Sequence, residues 1–255
     1  ESAPDVPDKG FVNAEDVYVT PSENPDDIQV LIDPDSERLQ KLEPFDAWNG
    51  QDLNDLRVMI KAKGKCTTDH ISPAGPWLKF RGHLDRLSDN LLLGAINAFN
   101  EQIGKSKNML TNEIENCAQI ARQYKKQNIS WVIVGDHNYG EGSSREHAAM
   151  TPRYLGCTAV IAKGFARIHE TNLKKQGILA LTFGNPEDYD KIHEDDRISI
   201  NLLNEISPGK PVECNIQHAN GTSEKITLNH SYNDFQIEWF RAGSAMNVLR
   251  KKCQN

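Results

Sequence analysis

Residues 131–147 of the chain read Trp131-Val132-Ile133-Val134-Gly135-Asp136-His137-Asn138-Tyr139-Gly140-Glu141-Gly142-Ser143-Ser144-Arg145-Glu146-His147. The apolar run at the start predicts a buried strand, the glycine-containing part a loop, and residues 144–155 a helix. Backbone N–H groups at a helix N-terminus are unpaired, and the helix dipole favours negative charge there. The planar guanidinium of Arg145 suits a carboxylate or a phosphate. This segment therefore predicts a site for a small anion, with Ser143 or Ser144 against it.

The same residues also fit a structural role that needs no ligand. Ser143 and Glu146 have the spacing of a capping box, in which a serine at the start of a helix and a glutamate three residues later satisfy backbone N–H groups. The glycines and Arg145 favour a ligand site, and the two roles can coexist if one serine caps the helix while the other faces the ligand.

A regular alternation of strands and helices surrounds this segment. Strands are predicted at 130–134, 158–162 and 178–183, and helices at 144–155 and 166–176. Strands that alternate with helices through short connections indicate a parallel sheet, and binding sites in such sheets lie at the carboxyl ends of the strands. The glycine-containing loop stands at one of these ends.

Further elements are predicted on both sides of this core. They are a strand at 56–62, a polar loop at 66–75, helices at 84–99 and 112–127, strands at 198–202, 212–217 and 224–228, and a helix at 235–252. Asn220-Gly221 predicts a hairpin turn between the last two strands. The predicted fold class is α/β, with a parallel βαβαβ core and additional β-structure.

Composition points to a globular protein of 255 residues, with 38% hydrophobic and 25% charged residues. No apolar run reaches the length of a membrane span. The net charge is −7, but residues 1–37 alone carry −10, which leaves +3 for the rest. The rest shows no block of basic residues, so nucleic acid is not an expected partner.

Residues 1–44 form a segment of different character. They contain six prolines and most of the excess acid, which predicts an extended interdomain linker, with a possible short strand at 28–32. The globular domain is expected to span 45–255. Because the first residue is Glu1 rather than Met, we expect a processed chain or a fragment.

The five cysteines are separated by 51, 40, 57 and 39 residues. No pair has the Cys-x-x-Cys spacing, so this chain alone is not expected to bind zinc or an iron–sulfur cluster. An odd, scattered set of cysteines suits free thiols in a reducing compartment.

Two more groups are candidates for chemistry. Asp69 and His70 stand side by side in a polar loop, and Arg81 follows twelve residues after Asp69. Two arginines, Arg81 and Arg145, would suit a substrate with more than one carboxylate, although the sequence does not show that they converge. The signatures of dinucleotide sites, P-loops and the Gly-x-Ser-x-Gly nucleophile are absent.

Four long motifs together resemble the carboxyl-terminal domain of mitochondrial-type aconitase. They are Lys63-Gly64-Lys65-Cys66-Thr67-Thr68-Asp69-His70-Ile71-Ser72 with Gly75-Pro76-Trp77-Leu78-Lys79-Phe80-Arg81-Gly82-His83, Tyr139-Gly140-Glu141-Gly142-Ser143-Ser144-Arg145-Glu146-His147, Phe165-Ala166-Arg167-Ile168-His169-Glu170-Thr171-Asn172-Leu173, and Ile237-Glu238-Trp239-Phe240-Arg241-Ala242-Gly243-Ser244-Ala245. The resemblance covers residues from about 28 to 249.

The resemblance implies a swivelling β/β/α domain that closes over a [4Fe–4S] cluster held by cysteines outside this chain. The implied enzyme is a mitochondrial hydro-lyase of the tricarboxylic acid cycle that interconverts citrate and isocitrate through cis-aconitate, with the cluster iron as a Lewis acid. Ser143 would be the base, Arg81 and Arg145 would hold substrate carboxylates, Ser144 would hydrogen-bond the substrate, and Asp69 would orient active-site groups. The chain by itself would be inactive.

Some residues depart from the family pattern. His137 stands where glutamate is usual, and Thr151 also replaces a glutamate. These departures keep open a paralogue that dehydrates homocitrate in lysine biosynthesis, and the missing cluster ligands keep open an isolated, non-catalytic polycarboxylate-binding module. RNA binding is disfavoured because the residues after Gly75 differ from those of the cytosolic RNA-binding relative.

Overall fold

The computed structural model describes residues 5, 7, 8, 10, 18–24 and 27–254. The chain divides into two compact units, residues 1–33 and 34–255. The strand considered at 28–32 is wrong, because these residues have no regular backbone structure. An interdomain linker at 1–44 remains a prediction.

The second unit contains nine strands among the residues that the structure describes. They are β1 (Leu53–Lys61), β2 (Lys105–Lys107), β3 (Ile114–Asn116), β4 (Trp131–Gly135), β5 (Cys157–Ala162), β6 (Leu179–Phe183), β7 (Arg197–Asn201), β8 (Val212–Gln217) and β9 (Ser223–Asn229). The α-helices are α1 (Thr68–Ile71), α2 (Leu84–Leu87), α3 (Cys117–Lys126), α4 (His147–Tyr154), α5 (Arg167–Lys175), α6 (Asp188–Lys191), α7 (Asp234–Ala242) and α8 (Ala245–Cys253). No helix in the described part of the chain is long and apolar enough to cross a membrane.

Seven of the strands close into a barrel in the order β1-β4-β5-β6-β9-β8-β7. The pairs β1–β4, β4–β5 and β5–β6 are parallel, which confirms the predicted parallel core. The pairs that complete the barrel are antiparallel. The predicted hairpin turn at Asn220-Gly221 is confirmed, because Gln217 and Ser223 are the last pair of the β8–β9 ladder.

Successive side chains along the strands point to opposite faces, and each face belongs to a different apolar core. Val132 and Val134 pack among side chains from the other barrel strands, whereas Trp131 and Ile133 belong to the second core, which they share with residues of α3 and α4. Because both faces of β4 are covered, every residue of this strand is buried. That two-sided burial explains the continuous apolar run in the sequence.

The predicted helix at 84–99 is wrong beyond its first turn. α2 ends at Leu87, a 3₁₀ turn follows at Ser88–Asn90, and Leu92 adopts a left-handed conformation at φ 57°. Its N–H donates to the carbonyl of Ile71 at 2.7 Å instead of continuing a helix. The backbone hydrogen bond to Ile71 therefore ends the helix, although the leucines that follow have helical spacing.

Three other boundaries also differ from prediction. In the predicted helix at 112–127, β3 occupies 114–116 because it pairs with β2, and α3 begins at Cys117. The predicted helix at 235–252 is two helices, since Gly243 at φ 87° ends α7 and Ser244 caps α8. The predicted loop at 66–75 contains the single turn of α1.

The ends of α5 and α7 approach closely at two glycines. A Cβ at Gly177 would lie 2.2 Å from the carbonyl oxygen of Gly243, and the φ of Gly177 is +72°. Gly209 has a similar φ of +74° but open space around it. Comparing substitutions at Gly177 and Gly209 therefore distinguishes the cost of a steric clash from the cost of a left-handed backbone conformation.

We expect Gly177→Ala to destabilise the domain by at least about 2 kcal/mol more than Gly209→Ala. Both variants carry the strain of a left-handed alanine, about 1 kcal/mol or more, but only the first meets a backbone oxygen. Urea unfolding followed by circular dichroism measures both. Equal losses of stability in the two variants would contradict the close packing of these helix ends.

Candidate active site

The glycine-containing loop after β4 lies against the segment that follows β1. Gly140 donates its N–H to the carbonyl of Cys66 at 2.7 Å, and Thr68 donates to the carbonyl of Glu141 at 2.9 Å. Thr67 and Glu141 form an isolated parallel bridge. β1 and β4 are parallel neighbours, so their carboxyl ends bring these two segments to the same edge of the barrel.

Gly140 is required where the loop crosses α5. Its φ is +83°, and a Cβ there would lie 2.1 Å from the ring of His169. His169 is 1% exposed, and neither ring nitrogen has a hydrogen-bond partner within the described structure. Burial lowers the pKa of this imidazole to about 4, so it packs under the loop as a neutral ring.

Asp69 and Arg145 meet across these two segments. Nη1 of Arg145 donates to Oδ1 of Asp69, and the same nitrogen lies 3.3 Å from the carbonyl oxygen of Ser72. Asp69 also accepts the N–H of Ala74 at 3.1 Å, which holds the turn after α1. The hydrogen bond from Arg145, followed by that from Ala74, lowers the pKa of the Asp69 carboxyl.

Ser143 and Ser144 do not cap α4, although the sequence pattern allowed this role. α4 begins at His147 rather than at residue 144, and Glu146 precedes it without a side-chain cap bond. The capping-box alternative is therefore wrong in this structure. Ser143 and Ser144 are exposed, and neither hydroxyl has a hydrogen-bond partner among the described residues. Both serines directly precede Arg145 in the loop that leads to α4.

Arg81 contacts the start of α4 through its backbone. It follows a 3₁₀ segment, Gly75–Phe80, and its side chain is exposed with no ion-pair partner among the described residues. Its carbonyl oxygen lies 3.0 Å from Nε2 of His147, in the first turn of α4. A cavity of about 690 Å³ opens beside it, lined by residues that include Arg38, Leu78 and Lys79.

The structure thus brings Asp69 together with Arg145, which directly follows Ser143 and Ser144, but it does not place the Arg81 guanidinium against them. It connects Asp69 to Arg145 by a hydrogen bond, and it connects the backbone of Arg81 to α4 through His147. The sequence reasoning missed His147 and His169. Neither had a sequence signal, because the predicted helix began at residue 144 rather than at His147, and nothing in the sequence indicates that His169 packs on Gly140.

The cysteines of this chain do not suit an iron–sulfur cluster. Cys66, Cys117, Cys157 and Cys214 are buried, Cys253 is exposed, and none forms a disulfide. Burial raises the pKa of the Cys66 thiol to about 12, as it does for Cys117 and Cys214. Cluster ligation needs several thiolates that converge on one point. The described residues offer no such group of thiolates.

Comparisons with known proteins identify the family. The family model described as the aconitase C-terminal domain matches residues 56–186. The chain is 57% identical over 249 residues to the mitochondrial aconitate hydratase of Gracilaria gracilis, an alignment that covers 98% of this chain and 32% of that protein. It is 52% identical over 245 residues to the mitochondrial aconitate hydratase of Saccharomyces cerevisiae, with 96% and 32% covered. The chain belongs to the aconitase family and spans about a third of the length of these relatives.

A solved structure supports the fold. The chain is similar to a crystal structure of the 3-isopropylmalate dehydratase of Methanocaldococcus jannaschii, with a TM-score of 0.53 and 23% identity. The match covers 80% of this chain and 96% of that one. At this identity the likeness concerns the fold alone, and it confirms the α/β swivel domain expected from the sequence.

We expect Arg145→Gln to raise the pKa of Asp69 toward its ordinary value, because the variant loses the cation and the donor that lower it. In the native protein this pair contributes stability above the ordinary pKa of an aspartate, and the contribution is lost as pH falls through the lowered value. Carboxyl-carbon NMR titration measures the shift. Arg86→Gln, which removes an exposed partner of Glu37, is the control and should leave Asp69 unchanged. An unchanged pKa in Arg145→Gln would contradict the contact.

Proposed function

We propose that this chain is the swivel domain of an aconitate hydratase, in which it supplies the base and the substrate-binding arginines for reversible conversion of citrate to isocitrate through cis-aconitate. The observation that carries the proposal is the hydrogen bond between Asp69 and Arg145, with the unpaired hydroxyls of Ser143 and Ser144 directly before Arg145 in the chain. The names of the relatives support a mitochondrial hydro-lyase, and we propose the mitochondrial matrix as its location.

Arg145 and Arg81 bind two of the substrate's carboxylates in this proposal. A guanidinium offers paired N–H donors in one plane, which match the two oxygens of a carboxylate. Asp69 accepts one donor of Arg145 and leaves its other nitrogens for the substrate. Asp69 is therefore a positioning residue for Arg145, and Arg81 reaches the substrate from the 3₁₀ segment.

Ser143 removes the carbon-bound proton of the substrate. A serine hydroxyl is a weak base, so its deprotonated oxygen must be stabilised by nearby cations and N–H donors in a site that excludes water. Arg145 lies two residues along the chain, and α4 begins four residues after Ser143 with the positive end of its dipole toward the loop. Loss of that proton and of the adjacent hydroxyl group leaves the double bond of cis-aconitate. Addition of water in the other orientation gives the isomer.

The family reaction uses a [4Fe–4S] cluster, and we propose that protein outside this chain holds it. The buried, protonated cysteines of this chain support that division. The swivel domain then contributes one face of the active site, and the remaining domains of the same enzyme contribute the cluster on the other.

We expect Ser143→Ala in the complete enzyme to lower kcat by about a thousandfold or more while KM changes by less than about fivefold, because the base acts in the chemical step rather than in binding. Ser144→Ala is the matched control, since it removes an adjacent free hydroxyl of the same size. It should mainly raise KM through loss of a hydrogen bond to the substrate. Steady-state kinetics in both directions measure the two constants, and turnover near the wild-type level in Ser143→Ala would refute the assignment of the base.

Two assays of the unmodified protein separate the remaining alternatives. His137 is exposed next to the site loop, with 76% of its side chain accessible, and this departure from the family pattern favours testing a longer substrate. We expect the complete enzyme to turn over citrate faster than homocitrate, and we expect the 255-residue chain alone to show no turnover. Faster turnover of homocitrate would indicate the lysine-biosynthesis paralogue. A complete enzyme that binds citrate in calorimetry but does not convert it would indicate a non-catalytic module.

A further inference from the structure

Two histidines and an aspartate meet on the antiparallel side of the barrel, on elements that carry none of the five site residues. His193 and Asp196 lie in the turn between α6 and β7, and His218 directly follows β8. β7 and β8 are antiparallel neighbours, and Arg197 pairs with Gln217. Asp196 and His218 flank this pair, so the ladder itself brings the carboxylate and the imidazole together.

The carboxylate of Asp196 faces both imidazoles. Its Oδ1 lies 2.9 Å from Nδ1 of His218, and its Oδ2 lies 3.5 Å from Nδ1 of His193. The backbone N–H of His193 also donates to Oδ2 at 2.7 Å. The Asp196 side chain is only 2% exposed, so its position is fixed by the fold, whereas the His193 side chain is 69% exposed.

We propose that His193, Asp196 and His218 form a binding site for a divalent transition metal of the zinc type. Among the described residues they are the group of histidine, cysteine and acidic side chains whose ligand atoms all lie within 4.8 Å of one another. Ligands at about 2.0–2.2 Å around a tetrahedral ion are separated by about 3.4 Å. The 3.5 Å separation of His193 from Oδ2 of Asp196 is close to this value, and the 2.9 Å separation of His218 from Oδ1 is shorter, so a bound ion requires small side-chain adjustments, which the exposed His193 ring allows.

The donor set selects the class of ion. Two imidazole nitrogens and one carboxylate suit Zn²⁺, Co²⁺ or Ni²⁺, whereas Mg²⁺ and Ca²⁺ prefer oxygen ligands alone. Three protein ligands leave a fourth position for water. Ions can reach the site from solvent through His193 and through a neighbouring cavity of about 500 Å³ that His218 helps to line.

The carboxylate of Glu224 lies beside the second ring nitrogen of His218, where metal-binding histidines commonly have a carboxylate partner. Oε1 of Glu224 lies 3.3 Å from Nε2 of His218, the ring nitrogen that does not face Asp196. A histidine that binds metal through one nitrogen commonly donates its other N–H to a carboxylate, which fixes the ring and raises its basicity. Glu224 also lies 3.5 Å from Lys191, which orients its carboxylate.

Titration of the 255-residue chain with zinc chloride tests the proposal. All proteins carry Cys253→Ser, because the exposed thiol could bind zinc independently. We expect saturable binding of about one ion per chain by calorimetry, and a Co²⁺ complex whose visible absorption reports tetrahedral nitrogen and oxygen ligands. Glu224→Gln, which alters only the outer partner, should weaken binding by about tenfold.

The variants separate this site from other zinc-binding groups. His193→Ala removes an exposed ligand and should keep the native circular dichroism spectrum while weakening binding by more than Glu224→Gln does. His137→Ala removes another exposed imidazole and should leave affinity unchanged. The absence of saturable binding would overturn the proposal. Equal affinity of His193→Ala and the parent, or a Co²⁺ spectrum of an octahedral aquo ion, would do the same.

Discussion

Backbone hydrogen bonds between the segment after β1 and the loop after β4 hold the candidate active site together. The Gly140 N–H to Cys66 bond and the Thr68 N–H to Glu141 bond extend the β1–β4 pairing beyond the strands themselves. Without them, Asp69 and Arg145 would stand on separate flexible loops, and ordering both side chains would cost conformational entropy at each binding event. The positions of the two site segments are thus fixed by the same strand pairing that forms the barrel.

Close packing beneath the loop reinforces this arrangement. His169 fills the space under Gly140, and burial keeps its ring neutral, so it supports the loop by packing and adds no charge to the site. The two serine hydroxyls then remain unpaired because α4 begins three residues later than the capping pattern allows. Exposed hydroxyls next to a guanidinium are poorly explained by stability alone. A polycarboxylate that approaches from outside this domain, as proposed above, would give them a partner.

The sequence predicted the parallel core because both faces of β4 to β6 are buried, and this burial leaves a continuous apolar run. It failed at 84–99, where leucines have helical spacing but Leu92 bonds to Ile71 across the fold. For the site, residue chemistry favoured Arg145 with Ser143 or Ser144 and made Asp69 and Arg81 weaker candidates, whereas the family resemblance implied the role of each. The contact between Asp69 and Arg145 could not be read from the sequence, because the two residues are 76 positions apart and meet only when β1 and β4 pair. The capping alternative failed for a similar reason, since the position of the helix start depends on packing of the preceding loop.

Citrate binding followed by amide NMR tests most directly whether the two segments form one polycarboxylate site. Citrate is added to the isotopically labelled 255-residue chain, and saturable shifts are mapped onto the fold. We predict that the amides of Asp69, Ser144 and Arg145 shift together with one common affinity, and that Arg145→Gln abolishes all three shifts. Saturable shifts confined to other parts of the barrel, or shifts at these residues that persist in Arg145→Gln, would contradict the account.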